Sequence, residues 1–355
     1  MIFSYLLLIA LFIFDTRPKI NKDGINSLFL TKEETLPVKG LFVVLVFFRH
    51  FRGYVDMDYG ILNHLFVMID SRLSQLIVTM FFFYSGYGIF EQIKKNKQYS
   101  KNIILHRFIP TYINFAVCVL IYFFISIFEG KRFSIYEILT SFIGWNSYFG
   151  NSNWFMFITF CLYIFIFISF SIYDNNDLKK LLISLFIFNL LTILLVLVLY
   201  RSKSHYWYNT LFCFNLGMIF SLLKKRIELF FNSSYTYFTT LIVSFLFFLI
   251  AFFKIETQSP LFIIKALLFS IFFILFQMKF SLINSKIFSE LGKHIFSVYM
   301  LQRIPFIIFS HLNLNQHIYL FFVITFIMTL VIAFLYDFSY LKVYSVITNT
   351  ISCKK

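Results

Sequence analysis

Eleven apolar runs dictate what this chain can fold into. They occupy 2–14, 36–53, 73–92, 108–128, 154–173, 181–200, 207–223, 235–253, 260–278, 289–309 and 318–338. Apart from the short first run, each comes near the roughly 20 residues that carry a helix across a bilayer. Hydrophobic residues make up 60% of the 355 and charged residues only 13%. That leaves too few polar side chains to cover a water-facing surface, and the chain is too apolar to be disordered. The expectation is an all-α polytopic membrane protein of about eleven spans. The stretch 135–144 is too short and too mixed to cross, and reads as a lid or interfacial piece on the 129–153 loop. Run 2–14 has no positive segment ahead of it and no small-residue cleavage site, so it reads as a retained helix rather than a signal peptide.

Lys and Arg near the span ends set orientation. Loops on one side carry 19 of the 31 basic residues, and the opposite loops carry seven. This places the N-terminus outside and the C-terminus in the cytoplasm. The formal net charge of +15 thereby has a topological cause; the basic residues are dispersed and no nucleic-acid partner is expected. Cys118, Cys161, Cys213 and Cys353 show no metal or disulfide spacing, so no metal is expected. No fixed repeat or long linker divides the chain. It reads as one membrane domain at 36–338, after an N-terminal helix and basic linker at 1–35 and before a cytoplasmic tail at 339–355.

An ionisable residue inside a span is costly and marks a candidate site. Lys39, Arg49, His50, Lys265, Lys293, His294 and Arg303 qualify. Most lie near span ends, where long side chains reach the headgroups. Lys39 and His50 stand apart, because eleven residues of helix turn through about 1100°, within about 20° of three whole turns. Both side chains therefore share one face, about 16 Å apart along the axis. A histidine in such a seam can accept a proton near neutral pH, and a polar corridor between the two is expected. The segment Phe81-Phe-Phe-Tyr-Ser85-Gly86-Tyr87-Gly88 adds two glycines suited to close helix approach and two hydroxyls suited to a ligand or a neighbouring helix.

These residues resemble the membrane acyltransferase-3 family. Lys39 through His50 is similar to its Arg/Lys-x10-His signature, Phe82-Phe83-Tyr84-Ser85-Gly86-Tyr87 to its FFxxSGY element, and His106-Arg107-Phe-Ile-Pro110 to the end of its basic loop. Asn153-Trp154-Phe155 through Tyr163 resembles its WF…Y span start. Trp207-Tyr208 through Leu216-Gly217 resembles a late-span pattern, and Leu291-Gly292-Lys293 through Gln302 its C-terminal element. Two positions depart: Ile104 stands where the basic loop has its first Arg, with Lys101 and His106 as nearby substitutes, and Gln302 stands where many members have His.

The resemblance implies a ten-helix core plus one extra N-terminal helix. It implies O-acyl transfer from cytosolic acetyl-CoA to a polysaccharide or lipid-linked sugar, in a bacterial plasma membrane. His50 is implied as the catalytic histidine, with Lys39 on its essential helix and Arg107 with Lys101 facing the CoA phosphates. In this setting His50 serves as base or transient acyl carrier, and Arg49 or Arg52 stabilises developing charge. Asp56, Asp58 or Asp70 orients the imidazole, Ser85 and Tyr87 line the acyl path, and Trp154 lies on the substrate path. The rival classes are a lipid-linked oligosaccharide flippase and a polysaccharide polymerase. A flippase leaves its cargo chemically unchanged, and a polymerase needs a larger outer loop than 129–153.

Overall fold

In a computed structural model the chain is described over residues 1–352 except 21–23, 58–59, 97, 172 and 174–176, with side chains at 341 and 343–352 also outside the description. The helices are α1 (Ile2–Thr16), α2 (Lys32–Phe51), α3 (Ile61–Leu73), α4 (Leu76–Lys95), α5 (Gln98–Ile103), α6 (Ile109–Phe128), α7 (Ile135–Ile143) and α8 (Trp154–Phe170). There follow α9 (Leu178–Ser202), α10 (Phe212–Phe230), α11 (Ser234–Lys254), α12 (Phe262–Gln277), α13 (Ile287–Lys293), α14 (Ile295–Leu301), α15 (Arg303–His311) and α16 (Ile318–Ser352). The only strands among the described residues are a two-residue pair, Lys19–Ile20 against Phe280–Ser281. The protein is all-α and polytopic. The stretches Ile61–Lys95, Gln98–Phe128, Leu178–Ser202, Ser234–Lys254 and Ile318–Tyr340 are each long and apolar enough to cross a membrane.

Burial sorts the helices into centre and rim. On α4 nearly every residue from Leu76 to Tyr87 is buried, and α2 buries most of its length. On α9, α11 and α16 large side chains such as Phe186, Ile250 and Leu335 are exposed, as they are when lipid is the solvent. Two glycine pairs set the central contacts. A Cβ on Gly86 of α4 would lie 2.1 Å from the Phe214 carbonyl oxygen of α10, and one on Gly217 of α10 would lie 2.2 Å from the Phe83 oxygen of α4. The same reciprocity joins α2 to α13, where Cβ atoms on Gly40 and Gly292 would lie 2.0 Å and 2.1 Å from the Phe288 and Leu36 oxygens. Only glycine lets helix backbones meet this closely.

Two elements differ from the sequence expectation. The run 289–309 is three helices rather than one. It breaks at His294 and Gln302, and Pro305 has no N–H to offer the Leu301 carbonyl. Helix α3 was not anticipated, because Asn63, His64, Asp70 and Arg72 interrupt its apolar pattern. It is set off from α4 by Ser74, at φ 37°. The stretch 135–144 forms the nine-residue α7, opened by a Ser134–Glu137 capping box and closed by Gly144 at φ 85°; its exposed Ile135, Leu139 and Ile143 make it a surface helix.

Candidate active site

Helix α2 has a cavity at each end. The cavity at the Lys39 end holds about 790 Å³ and is lined by Lys39, Tyr84, Ser85, Tyr87, Gly88 and Arg107, among others. The Lys39 ammonium lies 5.6 Å from the centre of the Tyr84 ring, a cation–π contact, and the Tyr84 hydroxyl donates to Gln277. Arg107, on an irregular turn before α6, donates from Nε to the Tyr99 hydroxyl at 3.2 Å. Lys32, Lys95 and Lys224 complete the cationic lining; Lys224 donates to the Tyr87 hydroxyl at 3.1 Å. Among the described lining residues the one carboxylate is Glu91, and it is bound to Lys94 at 2.6 Å and to the Ser221 hydroxyl at 2.7 Å. Gly86 is the packing glycine, whereas Gly88 has nothing within 4 Å of its Cβ position and opens onto the cavity. Lys101 is exposed on α5 and is not among the lining residues, so the structure does not join it to Arg107.

The cavity at the His50 end holds about 590 Å³ and brings together Arg49, His50, Arg52, Trp154, Tyr206 and Arg303, among others. Arg303 donates from Nε to His50 Nδ1 at 3.5 Å and from Nη1 to the Gly150 carbonyl at 3.1 Å. Gly150 sits at φ 87°, a conformation that glycine adopts without strain, and so presents that carbonyl. Asp70, 2% exposed, accepts from Arg49 at 2.7 Å, from Arg52 at 2.9 Å and from the Tyr5 hydroxyl of α1 at 3.0 Å. The expectation that Asp70 orients the imidazole is thereby corrected: it holds the two arginines, and a cation faces His50 instead. Asp56 lines a neighbouring cleft with His64, and Asp58 lies outside the described residues. His205, on a loop at this mouth, has its pKa lowered by burial and then by the charge of Arg49.

Among the described residues, aromatic rings rather than the expected polar corridor stand between the two cavities. The two share no lining residue. Phe81 of α4 meets Phe155 of α8 at 6.3 Å between ring centres, and Phe155 meets Tyr299 of α14 at 5.5 Å. Tyr299 in turn lies 6.3 Å from His50. Aromatic rings thus partition the two ends.

The sequence reading missed Lys32, Lys95 and Lys224 as cavity cations and assigned Arg303 no role. Lys224 carried a usable signal, because it follows Gly217 by seven residues, two helical turns, on the face that meets α4. A family model described as an acyltransferase domain, acyltransferase-3, matches residues 38–338. The chain belongs to the acyltransferase-3 family. It is a multi-pass membrane acyltransferase by that membership, and α1 precedes the matched region. No curated protein and no solved structure matches the chain.

Proposed function

We propose that this acyltransferase-3 protein is an O-acetyltransferase of a bacterial plasma membrane, passing acetyl from cytosolic acetyl-CoA to a hydroxyl of a surface polysaccharide or lipid-linked sugar. The supporting observation is the pair of unlike cavities at the two ends of α2. At the Lys39 end, among the described residues, five cations face one already neutralised carboxylate. Guanidinium and ammonium groups in that excess suit the phosphates of CoA, with Arg107 and Lys39 as principal contacts and Ser85 and Tyr87 beside the acyl arm. The excess of basic loops on this side fits a cytoplasmic face. At the His50 end, aromatic rings and amides suit a sugar, and His50 serves as base or transient acyl carrier. Arg49 and Arg52, held by Asp70, stabilise the oxyanion that develops on the acyl carbonyl.

The test is the O-acetyl content of surface polysaccharide, read by NMR, in parent and deletion strains. Loss of O-acetyl signals with the glycan backbone retained is the expected result. An unchanged spectrum overturns the reading, and loss of the entire polysaccharide points to a flippase.

A further inference from the structure

Among the described residues the charges around His50 do not balance. Three guanidiniums, from Arg49, Arg52 and Arg303, line the cavity, and no carboxylate is among its described lining residues. The one acid behind it, Asp70, is shared by Arg49 and Arg52. Among the described residues Arg303 has no carboxylate partner; its bonds go to the Gly150 carbonyl and to His50 Nδ1. A part-buried guanidinium without a counterion is costly to hold, and its planar fork matches carboxylate or phosphate. A single transient oxyanion accounts for only part of this excess.

The excess continues outward. A second cleft of about 470 Å³ shares Ser147, Tyr206 and Trp207 with the first and adds Trp145, Arg201 and Lys203, again with no carboxylate among its described lining residues. Lys203 is clamped 3.9 Å and 4.7 Å from the Trp145 and Trp207 ring centres. Two other clefts each combine a cation with an acid: Arg52 with Asp56, and Arg72 with Glu256. All three tryptophans of the chain, Trp145, Trp154 and Trp207, line these two acid-free clefts. Asn151, fully buried and lining the first, has a side-chain oxygen with no partner, an acceptor for a sugar hydroxyl.

Arg303 also bears on the chemistry. A neutral imidazole has one nitrogen lone pair, and here that lone pair accepts from Arg303. The contact is long, 3.5 Å, and it competes with a substrate proton for that lone pair until the guanidinium withdraws.

We infer that the acceptor is an anionic saccharide, whose own carboxylate or phosphate pairs with Arg303 and draws it off His50 Nδ1, freeing that nitrogen to act as base. The inference rests on the acyltransferase reading. In the step that follows, the acceptor O–H bond breaks and its proton passes to Nδ1. The acyl arm of CoA, bound at the Lys39 end, passes between the Phe81, Phe155 and Tyr299 rings to bring the thioester to His50; there the oxygen bonds to the acyl carbon, the C–S bond of the thioester breaks, and the departing thiolate takes the proton back from His50. The next sugar of the acceptor lies along Tyr206 and Trp207.

Because every tryptophan lines the two clefts, intrinsic fluorescence of the full-length protein in detergent reads their occupancy. The probes are trigalacturonate for a sugar carboxylate, glucose 1-phosphate for a sugar phosphate, maltotriose as the neutral control and phosphatidylglycerol as a lipid headgroup. At least one sugar anion is expected to bind tenfold or more tighter than maltotriose. That preference is expected to collapse in Arg303→Gln and to weaken in Arg201→Gln, which lies at the exposed cleft and guards against a folding defect in the first variant. Equal or absent responses to the sugars, a preference that survives both substitutions, or a response to phosphatidylglycerol alone each overturns the proposal. The two readings fail separately. Transfer of acetyl to neutral glycans alone sinks the anionic acceptor and keeps the acyltransferase, whereas anion binding without any acetyl transfer does the reverse.

Discussion

Replacing Asp70 by Asn probes how the His50 cavity is held. The carboxylate is 2% exposed and receives three hydrogen bonds, from Arg49, Arg52 and Tyr5. Removing one partner of a fully buried ion pair costs about 3–5 kcal/mol. Here the arginine side chains are 36% and 27% exposed, so water screens them and the cost falls to about 2 kcal/mol. Asn keeps one oxygen that can accept from either arginine but loses the charge that holds both. If the same loss is felt in the transition state, transfer slows by about 30-fold, since each 1.36 kcal/mol is tenfold. Tyr5→Phe removes only the third donor and is expected to cost about 1 kcal/mol. Both variants are compared with wild type by thermal unfolding in detergent and by radiolabelled acetyl transfer in membrane vesicles. Wild-type melting and transfer in Asp70→Asn, or a larger loss in Tyr5→Phe, refutes the claim that Asp70 organises this end through its arginines. Tyr5 lies before the matched family region, so the same comparison shows whether α1 buttresses the site.

Other consequences follow from the same geometry. Gly86→Ala and Gly217→Ala each drive a methyl into a backbone carbonyl at little over 2 Å; overpacking of this kind costs about 1–3 kcal/mol or more, and a loss of monodisperse protein on size exclusion is expected, with Gly88→Ala eluting normally. Arg107→Gln is expected to raise KM for acetyl-CoA severalfold, while Lys101→Gln, which lies off the cavity, leaves it unchanged within error. The lowered pKa of His205, caused by burial and then by Arg49, means that the unfolded chain binds the more protons, so stability rises with pH. Its contribution is complete above the unfolded value of about 6.5 and is lost as pH falls below it. His205→Gln is therefore expected to flatten the acid limb of a melting-temperature profile from pH 7 to 5.

Legibility in the sequence tracked local geometry. The Lys39–His50 face follows from helical period alone, and each residue lines a cavity at its own end of α2. The residues between them are another matter. The rings that close the expected corridor come from α4, α8 and α14, and no spacing within α2 could reveal Phe81, Phe155 or Tyr299. Asp70 was grouped with Asp56 and Asp58 as a partner for His50, because a helix interrupted by Asn, His, Asp and Arg looks like loop. Once α3 forms, Asp70 faces Arg49 and Arg52. Arg303 was flagged as an intramembrane charge, yet its approach to His50 depends on the chain breaking at Gln302 ahead of Pro305, a tertiary event.

The most direct measurement is acceptor-dependent release of CoA from acetyl-CoA by the purified protein in proteoliposomes, wild type against His50→Gln, which retains a hydrogen-bond acceptor for Arg303 but no ring nitrogen to take a proton. Loss of at least a hundredfold in turnover, with unchanged melting and unchanged acetyl-CoA binding, is the expected result. Turnover within a few fold of wild type contradicts the assignment of His50 as the group that carries the transfer.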